Sequence, residues 1–181
     1  MLGWLDHAAT GGGDGAHARL SEIAATLAAE GLAVRGTVQT NLRRGGDDCH
    51  CDMVLRVLAD DGPQVVISQD LGAGSQGCRL DADALEGAAQ RVLATLPEGL
   101  AKGGAIVVLN KFGKQEMIGR GMVAVITAAL DRGFPVLISV APAHRPAFAE
   151  FAGDLAVHLS PEAALDWCRD ALAAARLTPA A

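Results

Sequence analysis

The sequence has no tyrosine and only four phenylalanines and two tryptophans. That leaves too few rings for a binding mode that stacks bases on aromatic side chains. It has no run of lysine and arginine, and its formal net charge is -6, so the basic footprint of a nucleic-acid binder is missing. No apolar run approaches the roughly 20 residues that cross a bilayer, and no membrane insertion is expected. The first residues lack the basic segment and long apolar core of an export signal. Four cysteines without such a signal point to thiols in a reducing cytoplasm, not to a disulfide framework. A Gly-x-Ser-x-Gly elbow and a Ser/His/Asp order are also absent, which argues against a hydrolytic triad.

What the chain does have is 50% hydrophobic residues and 22 glycines among 181 residues, a composition suited to close helix–sheet packing. The length fits a single domain over 1–181 that buries roughly 70% of its unfolded surface. A short strand is expected at 2–8, then the Gly-rich "TGGGDGAH" at 10–17, then a helix from 18 to 30 that Gly31 stops. Strands at 32–40, 51–59 and 64–72 with turns between them predict an antiparallel meander over 32–72. Asp81 reads as the N-cap of a helix running to 98. The apolar run at 104–110 reads as a central strand covered on both faces. Helix 116–132, strand 134–141, helix 146–152, strand 155–159 and helix 161–175 complete a three-layer α/β domain with a mostly parallel sheet. Ligands of such sheets bind at the carboxyl ends of the strands.

The glycines after the first strand stand where a phosphate loop belongs. Successive backbone N–H groups of Gly11, Gly12, Gly13 and Gly15 would cradle an anion, with His17 as a further donor and the helix dipole adding attraction. The alternative is that they only make a turn. The full motif G-x-x-x-x-G-K-[ST] is broken: Thr10, Ala16 and His17 hold the first-glycine, lysine and hydroxyl positions. In "NKFGKQE" (110–116) an amide and an ammonium, Asn110 and Lys111, follow the central strand, with Lys114 close behind. Lys111 and Lys114 are either anion ligands or ordinary surface lysines on a turn.

"GTVQTN" (36–41), "CHCDMVLRV" (49–57), "GCRLD" (77–81), "NKFGKQE" (110–116) and "GFPVLISV" (133–140) resemble an uncharacterised bacterial family of P-loop-NTPase-like proteins. Its members carry names from molybdenum ABC transport. The order of elements also resembles the small thermophilic nucleoside-triphosphatases, in which a strand ends in Asp-Glu-hydrophobic-Gly-x-x-Glu. On that pattern the magnesium-binding acid falls on Asn110 and the catalytic acid on Lys111, while Gly113 and Glu116 remain. The resemblance therefore implies a phosphate-loop fold that has lost lysine, hydroxyl and metal-binding acid together. Hydrated magnesium usually relies on carboxylates plus substrate phosphates, so magnesium is not expected as a cofactor.

The function this supports is binding of a small anion, a nucleotide or an oxyanion such as molybdate, without hydrolysis. The molybdenum link comes from the resemblance alone, as does a partner in transport or metal handling; self-association is open. One alternative is a nucleoside-triphosphatase or nucleotide kinase that uses Glu116, Asp70 or Asp52 for its metal. Another is a metal or redox module. Cys49 and Cys51 would share one strand face and Cys78 would approach them, a set suited to soft metals and equally to inert buried thiols. Arg79 beside Cys78 is a candidate oxyanion fork. Cys168 is read as core.

Overall fold

The computed structural model describes residues 1–43, 51–69, 79–98 and 104–177; the side chains of Arg43, Cys51 and Arg79 lie outside that description. The chain begins with β1 (Leu2–Asp6), α1 (Gly13–Ala29), β2 (Val34–Arg43) and β3 (Cys51–Leu58). Three two-residue strands follow: β4 (Val65–Val66), β5 (Ser68–Gln69) and β6 (Arg79–Leu80). Then come α2 (Ala82–Thr95), β7 (Ile106–Phe112), α3 (Lys114–Met117), α4 (Val123–Asp131) and β8 (Val136–Val140). The last elements are α5 (Arg145–Ala152), β9 (Ala156–Leu159) and α6 (Ala164–Leu177).

The main sheet has the order β4-β3-β2-β7-β8-β1-β9. From β2 to β9 every neighbouring pair is parallel, and β3 and β4 add an antiparallel edge. Helices cover both faces, an arrangement compatible with a P-loop-like fold. Alternation along the central strands explains the two layers. Ile106 and Val108 of β7 and Leu137 of β8 point to one side, against Leu20, Ile23 and Leu27 of α1 and Ala164 and Cys168 of α6. Val107, Leu109, Val136 and Ile138 point to the other, against Leu85 and Val92 of α2, Val125 and Ile126 of α4, and Phe148 of α5. Every residue of β8 is buried, as expected of a strand walled in on both faces. Cys168 has no exposed surface, and burial pushes its thiol up to about 12.

Several expected elements shift for local reasons. The first helix begins at Gly13, so Gly13 and Gly15 form its first turn instead of a loop. The third strand of the meander breaks at Ile67. Ile67 N–H still donates to Met53 O at 2.8 Å, but Ser68 Oγ takes the Met53 N–H that a backbone carbonyl would receive. β5 then pairs with β6 in a separate two-stranded sheet, and residues 70–72 lie outside the described ones. The expected helix 116–132 is two helices, interrupted at Gly119 and Gly121, whose φ values of +77° and +62° are incompatible with a continuous right-handed helix. Asp81 caps α2 as expected, its Oδ1 accepting from Ala84 N–H at 3.0 Å.

Candidate functional site

The sheet opens at its carboxyl edge. Backbone pairing of β2 with β7 covers Val34–Ile106, Arg35–Val107 and Gly36–Val108, then stops, although both strands continue. Gly36 has φ +110°, and a Cβ there would stand 2.0 Å from Val108 O. Only glycine tolerates both that dihedral and that approach. Past this point, side chains bridge the strands. Asn110 Nδ2 donates to Gln39 Oε1 at 2.6 Å, Gln39 Nε2 donates to Asn41 Oδ1 at 2.6 Å, and Asn41 Nδ2 donates to Asp14 Oδ1 at 2.6 Å. The relay thus ties β7 through β2 to the first turn of α1.

A second link runs through β8. The Ser139 hydroxyl donates to the Asn110 backbone carbonyl, and His7 Nε2 lies 3.0 Å from Ser139 Oγ. With its one proton committed to Asn110, the hydroxyl accepts from His7, so this network assigns the proton to Nε2 and leaves Nδ1 as an acceptor. His7 Nδ1 lies on the Gly13 side of the ring, 3.9 Å from where a Gly13 Cβ would stand. Asp6, just before His7, is ion-paired with Arg145 at the start of α5 and accepts from Ala8 N–H at 2.9 Å.

Between these links lies a crevice of about 650 Å³. Its lining is mixed: Met53, Leu55, Leu85 and Met122 are apolar, and His7, His17, Thr37, Gln39, Asn110, Lys111, Lys114 and His144 are polar. His17 is 5% exposed, and neither ring nitrogen has a partner among the described residues. Thr37 Oγ1, Asn110 Oδ1 and His144 Nδ1 are likewise buried without partners. Each such orphan costs about 1–3 kcal/mol, and their convergence on one cavity marks a place shaped for a polar occupant. Burial, the Lys111 charge and His7 lower His17 to about 4, against a smaller opposing pull from Asp14. Burial and Lys111 also lower His7, with Asp6 opposing. Both imidazoles are therefore neutral near pH 7, and Lys111 acts on each.

Gly13, His17, Asn110, Lys111 and Lys114 meet at this crevice. Gly11, Gly12 and Gly15 are not among the residues that line it. Gly12 N–H turns back to His7 O at 2.7 Å, and Gly15 is pressed against the Thr10 carbonyl, where a Cβ would stand 1.8 Å from the oxygen. The N–H groups of Gly13, Asp14 and Gly15 precede the first intrahelical bond, Ala16 N–H to Gly12 O, so they are the donors that a helix's first turn leaves without an intrahelical partner. β8 separates β1, which leads into the glycine-rich segment, from β7, the strand of Asn110.

Glu116 faces inward but is committed to the backbone. Its Oε2 accepts from Gly113 N–H at 2.8 Å and its Oε1 from Met122 N–H at 2.9 Å. Asp52 pairs with Leu42 in the β2–β3 ladder. Asp70, Cys49 and Cys78 lie outside the described residues, as do the side chains of Cys51 and Arg79, so the proposed cysteine cluster and oxyanion fork carry no geometry. Among the described residues, no group of three His, Cys, Asp or Glu could hold a metal ion, and no helix is long and apolar enough to cross a membrane. Sequence reasoning missed His7, Thr37, Gln39, Asn41 and Ser139. Thr37, Gln39 and Asn41 recur at every second position of β2, a polar stripe that marks a strand face turned to something other than core.

The model of a family described as protein of unknown function (DUF2478) matches residues 8–167. The molybdenum import ATP-binding protein ModC 2 of Bradyrhizobium diazoefficiens is 32% identical over 153 residues, which is 83% of this chain and 16% of that protein. The chain thus spans about a sixth of the length of the curated relative it matches. No solved structure matches.

Proposed function

The chain belongs to the DUF2478 family, and we propose that it binds a nucleotide-type anion in the crevice between β2, β7 and α1 without hydrolysing it. The observation that carries this reading is the mixed lining of the crevice. It joins His17, Lys111, Lys114 and Gly13 of the first turn of α1 to the apolar side chains of Met53, Leu55, Leu85 and Met122. A phosphate suits the first group, where helix dipole and ammonium attract it. A base or similar flat group suits the second. The volume lies within the roughly 300–1,000 Å³ usual for small-molecule pockets. The relative named as an ATP-binding protein supports a nucleotide.

The absence of turnover is argued from what the residues at the site are doing. Phosphoryl transfer works by positioning and charge neutralisation, commonly through magnesium held by carboxylates. At the expected position Asn110 offers an amide whose nitrogen is engaged with Gln39. Both oxygens of nearby Glu116 receive backbone N–H groups. A second reading, binding of an oxyanion such as molybdate in molybdenum handling, is favoured by the printed name of the same relative. Titration calorimetry with ATP, GTP and molybdate, each with and without magnesium, tests the pair alongside a phosphate-release assay. We expect nucleotide binding that does not require magnesium and no release of phosphate. Magnesium-dependent turnover, or no binding of any of the three, would overturn the reading.

A further inference from the structure

The relay across the opened sheet runs in one direction. Its outer end is the carboxylate of Asp14, which only accepts hydrogen bonds, so Asn41 turns its amide nitrogen toward it. The oxygen left on Asn41 takes the Gln39 amide, and the oxygen left on Gln39 takes the Asn110 amide. What remains is Asn110 Oδ1, on a residue only 5% exposed, without a partner among the described residues, on the crevice wall. Turning Asn110 alone would set its oxygen against Gln39 Oε1. A carboxylate on the first turn of α1 thus decides what the last amide offers.

We propose that Asn110 Oδ1 is a specificity position that accepts a hydrogen bond from the ligand, so that the crevice selects anions carrying an O–H or N–H over oxyanions that carry no proton. Hydrogen phosphate and phosphate esters of hydroxyl-bearing sugars belong to the selected class. This donor requirement rests on the anion-binding reading above and sharpens it. The other orphans impose no such sense, because the Thr37 hydroxyl and an imidazole nitrogen, as on His17 and His144, can each serve as donor or acceptor. A proton-free oxyanion, such as sulfate or molybdate at neutral pH, would meet Asn110 Oδ1 lone pair to lone pair. Phosphate near pH 6 still carries a proton.

The test measures binding of inorganic phosphate, sulfate, molybdate and ATP to the full chain at about pH 6, in the wild type, Gln39→Leu and Asp14→Asn. Wild type is expected to hold phosphate at least about tenfold more tightly than sulfate or molybdate, the scale of one mismatched buried polar pair. Gln39→Leu removes the partner that fixes Asn110, lets the amide turn to donate, and brings the phosphate-to-sulfate ratio toward unity. Asp14→Asn, an exposed position, lets the whole relay reverse and moves the ratio the same way, so the test survives if Gln39→Leu fails to fold. Equal wild-type affinity for phosphate and sulfate overturns the donor requirement and leaves the anion site standing. So does a preference that Asp14→Asn retains in full, or ATP binding without phosphate binding. Binding of none of the four overturns the anion site itself.

Discussion

Asn110 reaches Gln39 at 2.6 Å across strands whose backbone ladder has already ended at the Gly36–Val108 pair. The crevice exists because a side-chain bridge replaces the ladder there. Central parallel strands usually keep their hydrogen bonds to each other along their length; here the carboxyl halves of β2 and β7 give theirs up to a cavity. The glycine that ends the ladder and the amides that span the gap are parts of one device.

Gly36→Ala tests the first part. The new methyl would stand 2.0 Å from Val108 O at a φ of +110°, so the strands must move or the dihedral must change. Left-handed strain alone costs on the order of 1–3 kcal/mol, and the steric term adds to it. An unfolding free energy from urea denaturation lowered by at least that amount is expected. Gly11→Ala, with φ +81° and open space around it, serves as the comparison and carries the strain alone. Equal losses in the two variants would remove the close approach from the explanation.

Lys111→Ala should weaken binding of whichever nucleotide calorimetry identifies. A hydrogen bond to a charged group contributes about 1.5–3 kcal/mol, so an affinity loss on the order of ten- to a hundredfold is expected. Gly13→Asp, which puts a carboxylate on the first turn of α1 beside His7, should do the same by repulsion. Unchanged affinity in both variants would move the anion out of this crevice.

Stability should depend on pH through His17. Its imidazole is held at about 4, against an ordinary 6.5, so the unfolded chain takes up this proton before the folded one does. Stability is then flat above about pH 6.5 and falls as pH drops from there toward 4. At 1.36 kcal/mol per unit the loss reaches roughly 3 kcal/mol. His17→Gln should remove that component, and chemical denaturation at about pH 7 and about pH 4.5 compares the slopes. Parallel profiles for wild type and variant would mean that His17 is not buried as described.

Much of the architecture was legible because it is written in periodicity. The apolar run of β7 and the helical spacing of Leu20, Ile23 and Leu27 each name their own element, and Asp81 marks the start of its helix. The site was legible in part. Asn110, Lys111 and His17 stood out as residues misplaced for phosphoryl transfer. Their partners did not, because Gln39 and Ser139 matter only once β2 and β8 lie to either side of β7, a property of strand order and not of spacing. The Gly-rich loop was legible only in part for a related reason. Glycine signals freedom, but not whether the freedom faces the crevice, as at Gly13, or makes room for the Thr10 carbonyl, as at Gly15.

Glu116→Gln separates a cap from a metal ligand. The amide retains one oxygen for Gly113 or Met122 and sets its nitrogen against the other N–H group. Leaving a buried donor unpaired costs about 1–3 kcal/mol, and thermal unfolding should register it. Because Glu116 ties Gly113 to Met122 across the break between α3 and α4, amide protons of 117–122 should exchange faster in the variant. A stable variant with unchanged exchange would leave the carboxylate free for other work.

Cys168 offers a clock. With no exposed surface and a thiol raised to about 12, it is almost wholly protonated at neutral pH, and the thiolate is the form that alkylating reagents attack. Any thiol that a maleimide modifies promptly in the folded protein is therefore Cys49, Cys51 or Cys78. Modification of Cys168 waits for α6 to leave the sheet, so its labelling rate, followed by mass spectrometry under native conditions, reports how often this layer of the molecule opens.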